Sequence, residues 1–341
     1  MSEVEFSSQE QRVIIAIVST KDVHHIVGCL ESLAASTHRS FSVIICENGG
    51  AEAFRRLVNT VGELNFISES NPSCGGSSPT TLPGKHIFVL GEGAQCVRVL
   101  NPGRNLGYAG GVNACICAAS SEPWDAVWVL NPDTFPDREA LAALVHRQRA
   151  GDYGMVGSRL LATSDGLVQT WGGMKWWSLA SRGFSLGRNK PGDATPDIVE
   201  VEKSLDFLSG ASMYVSRAYI ETVGVMDEDF FVYCEDVDWC LRHGNFRLGY
   251  AHDSIVRHVS GGTSGKFSSS GSRFTVYLGT RNAILLARKF HGRSWPIFAA
   301  IVLNTVLIEQ LLRARSFRRF GFALDGWWAG VRDERGAPYF I

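Results

Sequence analysis

Short apolar runs alternate with helix-like patterns along the first part of the chain. Residues 12–20, RVIIAIVST, are a β-branched run that ends in polar residues, which is typical of a buried parallel strand. Residues 23–36 place apolar side chains three or four positions apart and predict a helix. A second apolar run at 41–50 and a second helical pattern at 51–61 repeat this order. Strands that alternate with helices predict a doubly wound α/β sheet.

The same patterns continue with interruptions. Residues 69–85 are rich in Ser, Pro and Gly and predict an inserted loop. Residues 95–100 return to the sheet, 101–120 form a glycine-rich turn that enters a helix, and 125–137 are a strand that ends on an acidic turn. Residues 151–210 have mixed patterns that predict loops or a hairpin. From about residue 270 the chain is helical, basic and aromatic, so a helical extension follows the sheet.

Composition narrows the class of protein. The 341 residues are 45% hydrophobic and 20% charged, as in ordinary globular proteins. The net charge of -1 gives no field that favours nucleic acid. Eight scattered cysteines show no zinc or disulfide spacing, and the polar N-terminus does not look like a signal peptide. The apolar run 296–308 is too short to span a bilayer, so we expect a cytoplasmic protein that is soluble or peripheral.

Polar residues follow the first two predicted strands, where open α/β sheets bind ligands. Thr20 comes after the first strand, and Glu47 and Asn48 come after the second. A carboxylate in this position is able to accept a hydrogen bond from a ribose hydroxyl or a base edge. The alternative is a turn that Asn and Gly favour without any ligand.

The glycine-rich turn is a third candidate. Gly107 and its neighbouring glycines allow a ligand to approach the backbone, and the following helix offers its N-terminus to phosphate. Arg104 and Asn105 beside it strengthen this interpretation. A fourth candidate is Asp133, in the acidic turn that ends the strand at 125–137, where it is placed to hold a divalent cation on a diphosphate. Asp133 as a helix cap is the competing interpretation.

The stretch FFVYCEDVDWCLR at 230–242 places Glu235, Asp236 and Asp238 among aromatic residues. Apolar surroundings raise the pKa of a carboxyl group, which suits a general base. Acidic residues are also common at a helix N-terminus because they oppose its dipole, which is the structural alternative for at least one of the three. His258, after a later strand, is either a metal ligand or a polar surface residue.

Taken together, these segments resemble glycosyltransferase family 2, the inverting enzymes of GT-A fold, and most of all its rhamnosyltransferase-like and galactofuranosyltransferase-like bacterial branch. The resemblance covers about residues 12–290 and rests on ordered blocks: VIIAIVSTKD, VIICENGG, NLGYAGGVN, VLNPDT, GVMDEDFFVYCEDVDWCLR, IVRHVSGGTSG and YLGTRN. It implies a Rossmann-like mixed sheet flanked by helices. The GT-A catalytic domain would be 1–268, with a nucleotide-sugar half at about 12–135 and an acceptor half at about 136–268, followed by a C-terminal helical region at 269–341.

The resemblance also implies roles for matching positions. Asp133 corresponds to the last residue of a metal-binding D-x-D motif whose first position is Asn131, and His258 to a second ligand of Mn²⁺ or Mg²⁺. Asp236 corresponds to the catalytic base, supported by Glu235 and Asp238. The implied contacts to the nucleotide-sugar come from Thr20, Glu47, Asn48, Arg104, Asn105, Gly107, Asn131, Asp133 and Arg281, the last of these facing a diphosphate.

The implied reaction is a single displacement. The donor is a nucleoside-diphosphate sugar, and the acceptor is a hydroxyl of a glycan or of a lipid-diphosphate-linked saccharide in bacterial cell-surface polysaccharide synthesis. A non-catalytic nucleotide-sugar-binding or membrane-docking protein of the same fold is the main alternative. A dehydrogenase is disfavoured because G-x-G-x-x-G is absent after the first strand.

The C-terminal region allows two interpretations. An apolar helix is followed by a basic cluster of Arg313, Arg315, Arg318 and Arg319. Such a helix is suited to the anionic cytoplasmic face of the inner membrane. It is equally suited to packing on the catalytic domain or on a second subunit.

Overall fold

The computed structural model describes residues 10–65, 67–69, 85–90, 95–177, 182–259, 272–313 and 315–341. The strands, in chain order, are β1 (Val13–Ser19), β2 (Phe41–Glu47), β3 (Ile67–Glu69), β4 (Lys85–Leu90), β5 (Gln95–Leu100), β6 (Ala126–Leu130), β7 (Thr134–Pro136), β8 (Met155–Ala162), β9 (Val168–Trp171), β10 (Gly173–Trp177), β11 (Arg182–Ser185), β12 (Phe207–Leu208), β13 (Ser212–Ser216) and β14 (Leu248–His258). The helices are α1 (Val23–Ala34), α2 (Ala51–Gly62), α3 (Gly107–Ala118), α4 (Ala140–Gly151), α5 (Ile198–Ser204), α6 (Arg217–Val223), α7 (Glu235–Leu241), α8 (Arg273–Phe290), α9 (Trp295–Leu307) and α10 (Phe317–Val331).

Most strands join one mixed sheet in the order β3-β4-β5-β2-β1-β6-β13-β8-β14-β7, with β9 paired to β8. At its centre β2, β1 and β6 are parallel. Every residue of β1 is buried, because helices cover both faces of parallel strands. This confirms the expected strands at 12–20, 41–50 and 125–137. Because the strands are parallel, the polar residues that follow them lie along one edge of the sheet.

The second half of the sheet reverses direction. β13 is antiparallel to both β6 and β8, and β14 runs parallel to β8 and antiparallel to the short β7. The last pair places His258 opposite Thr134, directly beside the turn that carries Asp133. Two candidates 125 positions apart in the chain are therefore brought together by strand pairing.

The region 151–210 is more ordered than its sequence pattern predicts. The expected hairpin is present as β10 and β11, which join β12 in a small separate sheet. The sequence pattern does not predict the central strand β8, because all eight of its residues are buried and no alternation of apolar and polar positions remains. Of the expected loop 69–85, residues 70–84 lie outside the described part of the chain.

The C-terminal region is helical as expected, and it packs on the sheet domain. Helix α8 is buried continuously from Thr275 to Ala287. Helix α10 lies against it so closely that a Cβ at Gly326 would be 2.2 Å from the carbonyl oxygen of Tyr277. Phe231 in the acidic-aromatic stretch belongs to the same apolar cluster as Tyr277. The aromatic residues there serve partly to attach the C-terminal helices.

Candidate active site

Glu47, at the end of β2, is completely buried. Its Oε2 accepts a hydrogen bond from Ser19 Oγ at 2.6 Å, and its Oε1 accepts from the backbone N–H groups of Lys21 and Gly49 at 3.0 and 2.7 Å. Both oxygens of the Glu47 carboxylate are therefore engaged within the protein, and the expected contact of Glu47 with the nucleoside stays a prediction. Glu47 fixes the ends of β1 and β2, and the adjacent Thr20 is exposed at this edge.

Asn48 connects the end of β2 to the glycine-rich turn. Its Nδ2 donates to the carbonyl oxygen of Gly107 at 2.8 Å, and its Oδ1 accepts from the N–H of Leu106 at 3.2 Å. Asn105 Oδ1 accepts from the N–H of Gly107 at 2.9 Å. The two amides thus shape the turn, while Arg104 and Asn105 remain exposed on its surface.

The N-terminus of α3 differs from the expectation that it binds phosphate. The N–H groups of Tyr108 and Ala109 point to the carbonyl oxygen of Phe231, at 2.6 and 3.3 Å. Gly107 has a φ of 73°, and a Cβ there would lie 2.3 Å from the same oxygen. The glycine is therefore required by the approach of the acidic-aromatic loop, which occupies the helix terminus in place of a ligand.

Asp133 and His258 face each other across the β7–β14 edge. His258 Nε2 lies 3.3 Å from Asp133 Oδ1, and His258 Nδ1 lies 2.8 Å from Gln169 Oε1. If Nδ1 carries the proton and donates to Gln169, the lone pair of Nε2 points toward Asp133. Nε2 is buried and has no hydrogen-bond partner among the described residues, which is the situation of a metal-ligating histidine.

These residues fit a small divalent cation held in part by its substrate. The described residues contain no cluster of three or more His, Cys, Asp or Glu side chains that would enclose a metal without help. Mg²⁺ and similar ions are commonly held by one or two protein ligands together with phosphate oxygens and water. Asp133 and His258 would supply the protein ligands, since Asn131 Oδ1 already accepts a hydrogen bond from Tyr108.

Tyr108 joins the two parts of the candidate site. Its hydroxyl lies 3.0 Å from Asn131 Oδ1 and 2.7 Å from the carbonyl oxygen of Gly210. The N–H of Gly210 in turn lies 3.3 Å from Asp236 Oδ2. Burial raises the pKa of Tyr108 well above its usual value, and the carboxylates of Glu235, Asp236 and Asp133 raise it further. Tyr108 therefore connects the turn that carries Asp133 with the N-terminus of α7, which carries Asp236.

Asp236 and Glu235 begin α7 in different environments. Asp236 is half-buried, and its Oδ1 accepts from the N–H of Val237 at 2.8 Å. Burial raises the pKa of Asp236, while the N–H groups of Val237 and Gly210 oppose that rise. Glu235 is buried, and its Oε2 has no hydrogen-bond partner in the part of the chain that the structure describes. Burial raises the pKa of Glu235 well above its usual range, and Asp236 raises it further.

Comparison with known proteins decides the class. Residues 89–232 match the family model described as glycosyl transferase family 2. The chain is therefore a glycosyltransferase with a family 2 segment. It is 24% identical to the low-salt glycan biosynthesis hexosyltransferase Agl10 of Haloferax volcanii, over 71% of this chain and 78% of that protein. It is 27% identical to the N-acetylglucosaminyl-diphospho-decaprenol L-rhamnosyltransferase of Mycobacterium tuberculosis, over 86% of this chain and 92% of that protein.

Solved structures agree with a GT-A fold for this glycosyltransferase. The mannosyltransferase PcManGT from Pyrobaculum calidifontis, in complex with GDP-Man and Mn²⁺, aligns with a TM-score of 0.52 at 12% identity, covering 96% of this chain and 89% of that one. Residues 1–349 of S. aureus TarS, in complex with UDP-GlcNAc, align with a TM-score of 0.52 at 11% identity, covering 94% and 81%. These structures confirm the expected fold class, and the family model and the sequence relatives confirm the expected enzyme class. Asp236 and His258 lie beyond the matched segment 89–232.

Two expected site residues of this glycosyltransferase have other partners. Asp238 is completely buried, with Oδ2 at 2.9 Å from Arg242 Nε and Oδ1 at 2.6 Å from Lys289 Nζ. The Arg281 guanidinium is also buried and donates to the carbonyl oxygens of Gly336 and Phe230 at 2.7 and 3.1 Å. These contacts replace the expected support of catalysis by Asp238 and the expected diphosphate contact of Arg281 with structural contacts between the sheet domain and α8.

Three residues of this arrangement are not among those the sequence singles out: Tyr108, Gln169 and Lys289. Tyr108 stands inside the glycine-rich turn, so its position was a usable signal. Gln169 and Lys289 reach the site through β9 pairing and through the return of α8, neither of which leaves a local pattern.

Proposed function

We propose that this glycosyltransferase is metal-dependent and inverting. It moves a sugar, rhamnose or a related deoxysugar or furanose, from a nucleoside-diphosphate donor to a hydroxyl of a glycan or lipid-diphosphate-linked acceptor in bacterial cell-surface polysaccharide synthesis. The observation that carries the proposal is the link through Tyr108 between the Asp133 turn and Asp236. This link supports a cation site and a base that act together, because Asn131 lies in the Asp133 turn and the N–H of Gly210 lies beside Asp236. The alternative, a non-catalytic protein of the same fold, gives no reason for this pairing.

Asp236 is the proposed base rather than Glu235. Two backbone N–H groups stabilise its ionised form, whereas Glu235 has a buried oxygen without a donor. When the two carboxyl groups share one proton, it therefore resides on Glu235. Asp236 accepts the proton of the acceptor hydroxyl as that oxygen attacks the anomeric carbon. The bond from the anomeric carbon to the diphosphate breaks, its electron pair leaves with the nucleoside diphosphate, and the configuration inverts.

A divalent ion, when bound, would neutralise charge that develops on the leaving diphosphate. Asp133 and His258 would hold it, and Gln169 would keep the imidazole in the required tautomer. The PcManGT complex, which contains GDP-Man and Mn²⁺, supports Mn²⁺ or Mg²⁺ as the ion. Thr20, Arg104 and Asn105, which are exposed at the strand edge and the turn, are proposed to line the nucleotide-sugar.

The proposed sugar and acceptor rest on the relatives. The mycobacterial relative is named as an L-rhamnosyltransferase that uses a diphospho-decaprenol acceptor. A dTDP-rhamnosyl transferase, RfbF of Shigella flexneri, is 36% identical, but over only 26% of this chain. We propose residues 1–268 as the catalytic domain, with the nucleotide-sugar half at about 12–135 and the acceptor half at about 136–268.

We further propose that the C-terminal helical region, 269–341, contacts the cytoplasmic face of the inner membrane. The segment Gly292–Leu311 is 20 residues long and apolar, and most of it is not buried in the structure. By length and composition alone it resembles a membrane span. Ile297 and Phe317 are 63% and 84% exposed, and Arg315 and Arg318 lie near Phe317 in the chain. Exposed apolar and basic side chains suit an anionic bilayer. The side chain of Arg313 lies outside the described part.

Vesicle sedimentation tests this contact. We expect binding to vesicles that contain phosphatidylglycerol, weaker binding to pure phosphatidylcholine, and loss of binding in Ile297→Ser/Phe317→Ser. A dimer in solution that the same double substitution dissociates, without binding to vesicles, would assign the surface to a second copy of the chain instead.

A panel of nucleotide-sugars tests the donor. Thermal unfolding is followed with dTDP-rhamnose, UDP-galactofuranose, GDP-mannose and UDP-GlcNAc, each with and without Mn²⁺. We expect one donor to raise Tm in the presence of Mn²⁺ and to be consumed when an acceptor is added. Binding of a donor without transfer to any lipid-linked or free saccharide would favour the non-catalytic alternative.

A further inference from the structure

The loop that leads into α7 has an unusual backbone. Phe231, Tyr233 and Cys234 have φ angles of 65°, 71° and 69°. Residues with a Cβ rarely adopt this left-handed region, and such conformations persist only where the surroundings hold them. Asp236 follows two positions later. The placement of the candidate base therefore depends on whatever holds this loop.

Asn282 of α8 holds the loop by donating hydrogen bonds to carbonyl groups of the loop. Asn282 Nδ2 lies 2.8 Å from the carbonyl oxygen of Phe230, 2.9 Å from that of Val232 and 2.7 Å from that of Tyr233. The Asn282 side chain is completely buried. One side-chain amide group thus provides hydrogen bonds to three carbonyl oxygens of the loop. At this depth no water molecule replaces it readily.

Arg281 fixes the direction in which this amide points. Its Nε donates to Asn282 Oδ1 at 2.9 Å, so the NH₂ group of Asn282 must face the loop. Its Nη2 donates to the carbonyl oxygen of Phe230 at 3.1 Å, and its Nη1 to that of Gly336 at 2.7 Å. The two adjacent residues form one unit, the Arg281–Asn282 clamp.

The loop that the Arg281–Asn282 clamp holds positions two parts of the candidate site. The carbonyl oxygen of Phe231 caps α3 at the N–H of Tyr108, whose hydroxyl connects Asn131 to Gly210. The other end of the loop begins α7 and carries Asp236 to the N–H of Gly210. A shift of this loop would therefore move the base and the Tyr108 turn relative to each other.

We propose that Asn282, oriented by Arg281, is a positioning residue for glycosyl transfer. It has no contact with substrate in this assignment. It acts by holding residues 230–234 in the conformation that places Asp236 beside the N–H of Gly210. This role rests on the proposed function of Asp236 as base.

Asn282→Asp and Asn282→Ala test the clamp. Aspartate keeps an acceptor for Arg281 Nε but removes the donors to the three carbonyl groups, and alanine removes both. Thr280→Ala is the matched control, because Thr280 is buried on the same helix and its Oγ1 donates only within α8, to Val276 at 2.8 Å. We expect kcat to fall about tenfold or more in both Asn282 variants, as a general base loses its position, with KM for the donor changed far less.

Hydrogen exchange provides a readout that general destabilisation would not give. In Asn282→Asp, amide exchange should accelerate at 107–109 and 230–238, whereas the amides of β1 should exchange as in the wild type. A kcat within about twofold of that of Thr280→Ala, or exchange that accelerates equally throughout the sheet, would overturn the positioning role. If the wild type transfers no sugar at all, the proposed function fails, and local acceleration at 107–109 still shows whether the clamp holds the loop.

Discussion

His258 Nε2 lies 3.3 Å from Asp133 Oδ1 while its other ring nitrogen, Nδ1, lies 2.8 Å from Gln169 Oε1. The three side chains come from β14, from the turn after β6 and from β9. Pairing of β14 with β7 and of β9 with β8 brings them together. Gln169 also donates to the carbonyl oxygen of His258 at 2.9 Å, so it holds both the ring and the backbone of this residue.

Gln169→Leu should weaken Mn²⁺ binding by about 10–100-fold, the usual effect of losing a residue that orients a ligating histidine. Titration calorimetry with Mn²⁺ alone, and then with Mn²⁺ and the donor found in the panel, measures this. Gln148→Leu is the control, because Gln148 is a buried glutamine whose side chain donates to the carbonyl oxygen of Tyr153 and makes no contact with His258. Equal Mn²⁺ affinities in the two variants would contradict the role of Gln169 in orienting His258.

Tyr108→Phe should lower kcat about tenfold, by analogy with the loss of an orienting group at a catalytic base. The substitution leaves Asn131 Oδ1 and the carbonyl oxygen of Gly210 without the shared hydroxyl donor. Tyr214→Phe removes a comparable buried hydroxyl whose partner is Gln11, and it should keep the wild-type kcat. Steady-state transfer rates of the two variants measure this difference. A rate for Tyr108→Phe equal to that for Tyr214→Phe would contradict the role of Tyr108 in linking Asn131 to Gly210.

Lys289→Met should lower the free energy of unfolding by about 2 kcal/mol, because buried Asp238 loses one of its two cationic partners. Urea denaturation measures the change. Lys203→Met is the control, since Lys203 pairs with Glu200 on the surface, where such pairs contribute about 0–1 kcal/mol. Full retention of stability in Lys289→Met would show that Arg242 alone compensates Asp238. The predicted contribution of Lys289 to stability would then be wrong.

Glu235→Gln should stabilise the folded protein at about pH 8 and lose that advantage toward about pH 4. The pKa of Glu235 is raised in the folded state by burial and by Asp236. A raised carboxyl pKa means that the folded state binds the proton more tightly than the unfolded state. The contribution of Glu235 to stability is therefore present at low pH and is lost as pH rises through the folded-state pKa, whereas glutamine has no such loss.

Thermal unfolding of wild type and Glu235→Gln across this pH range tests the sign. The titratable groups that interact with Glu235 include Asp236, Tyr108 and Cys234, and they are the same in both proteins. A Tm difference that grows toward low pH would show that Glu235 is ionised in the folded protein. The shared-proton assignment would then be wrong.

The sheet and its edge were largely predictable from the sequence. Buried parallel strands leave continuous apolar runs, and ligand groups follow their ends, so β1, β2, β6 and the turn at Asp133 are found by pattern alone. The strand β8 was not predictable in this way, because its Gly, Ser and Arg residues interrupt the run although every one of them is buried.

The division of roles among the acidic residues required the structure. Glu235, Asp236 and Asp238 look alike in the sequence, yet only Asp238 meets Lys289, which lies 51 positions later. Glu47 has the expected position for a nucleoside contact, but the hydroxyl of Ser19 engages its carboxylate. Such partners come from chain segments distant in sequence, and no local spacing predicts them.

The most direct test of the account is Asp236→Asn, assayed for transfer and for donor binding on the same preparation. The substitution keeps the shape of the side chain, and its oxygen is still able to accept from the N–H of Val237. We expect transfer to fall by about 10²–10⁴-fold, the usual contribution of a general base, with donor affinity close to wild type. Transfer by Asp236→Asn at the wild-type rate would contradict the assignment of Asp236 as the base.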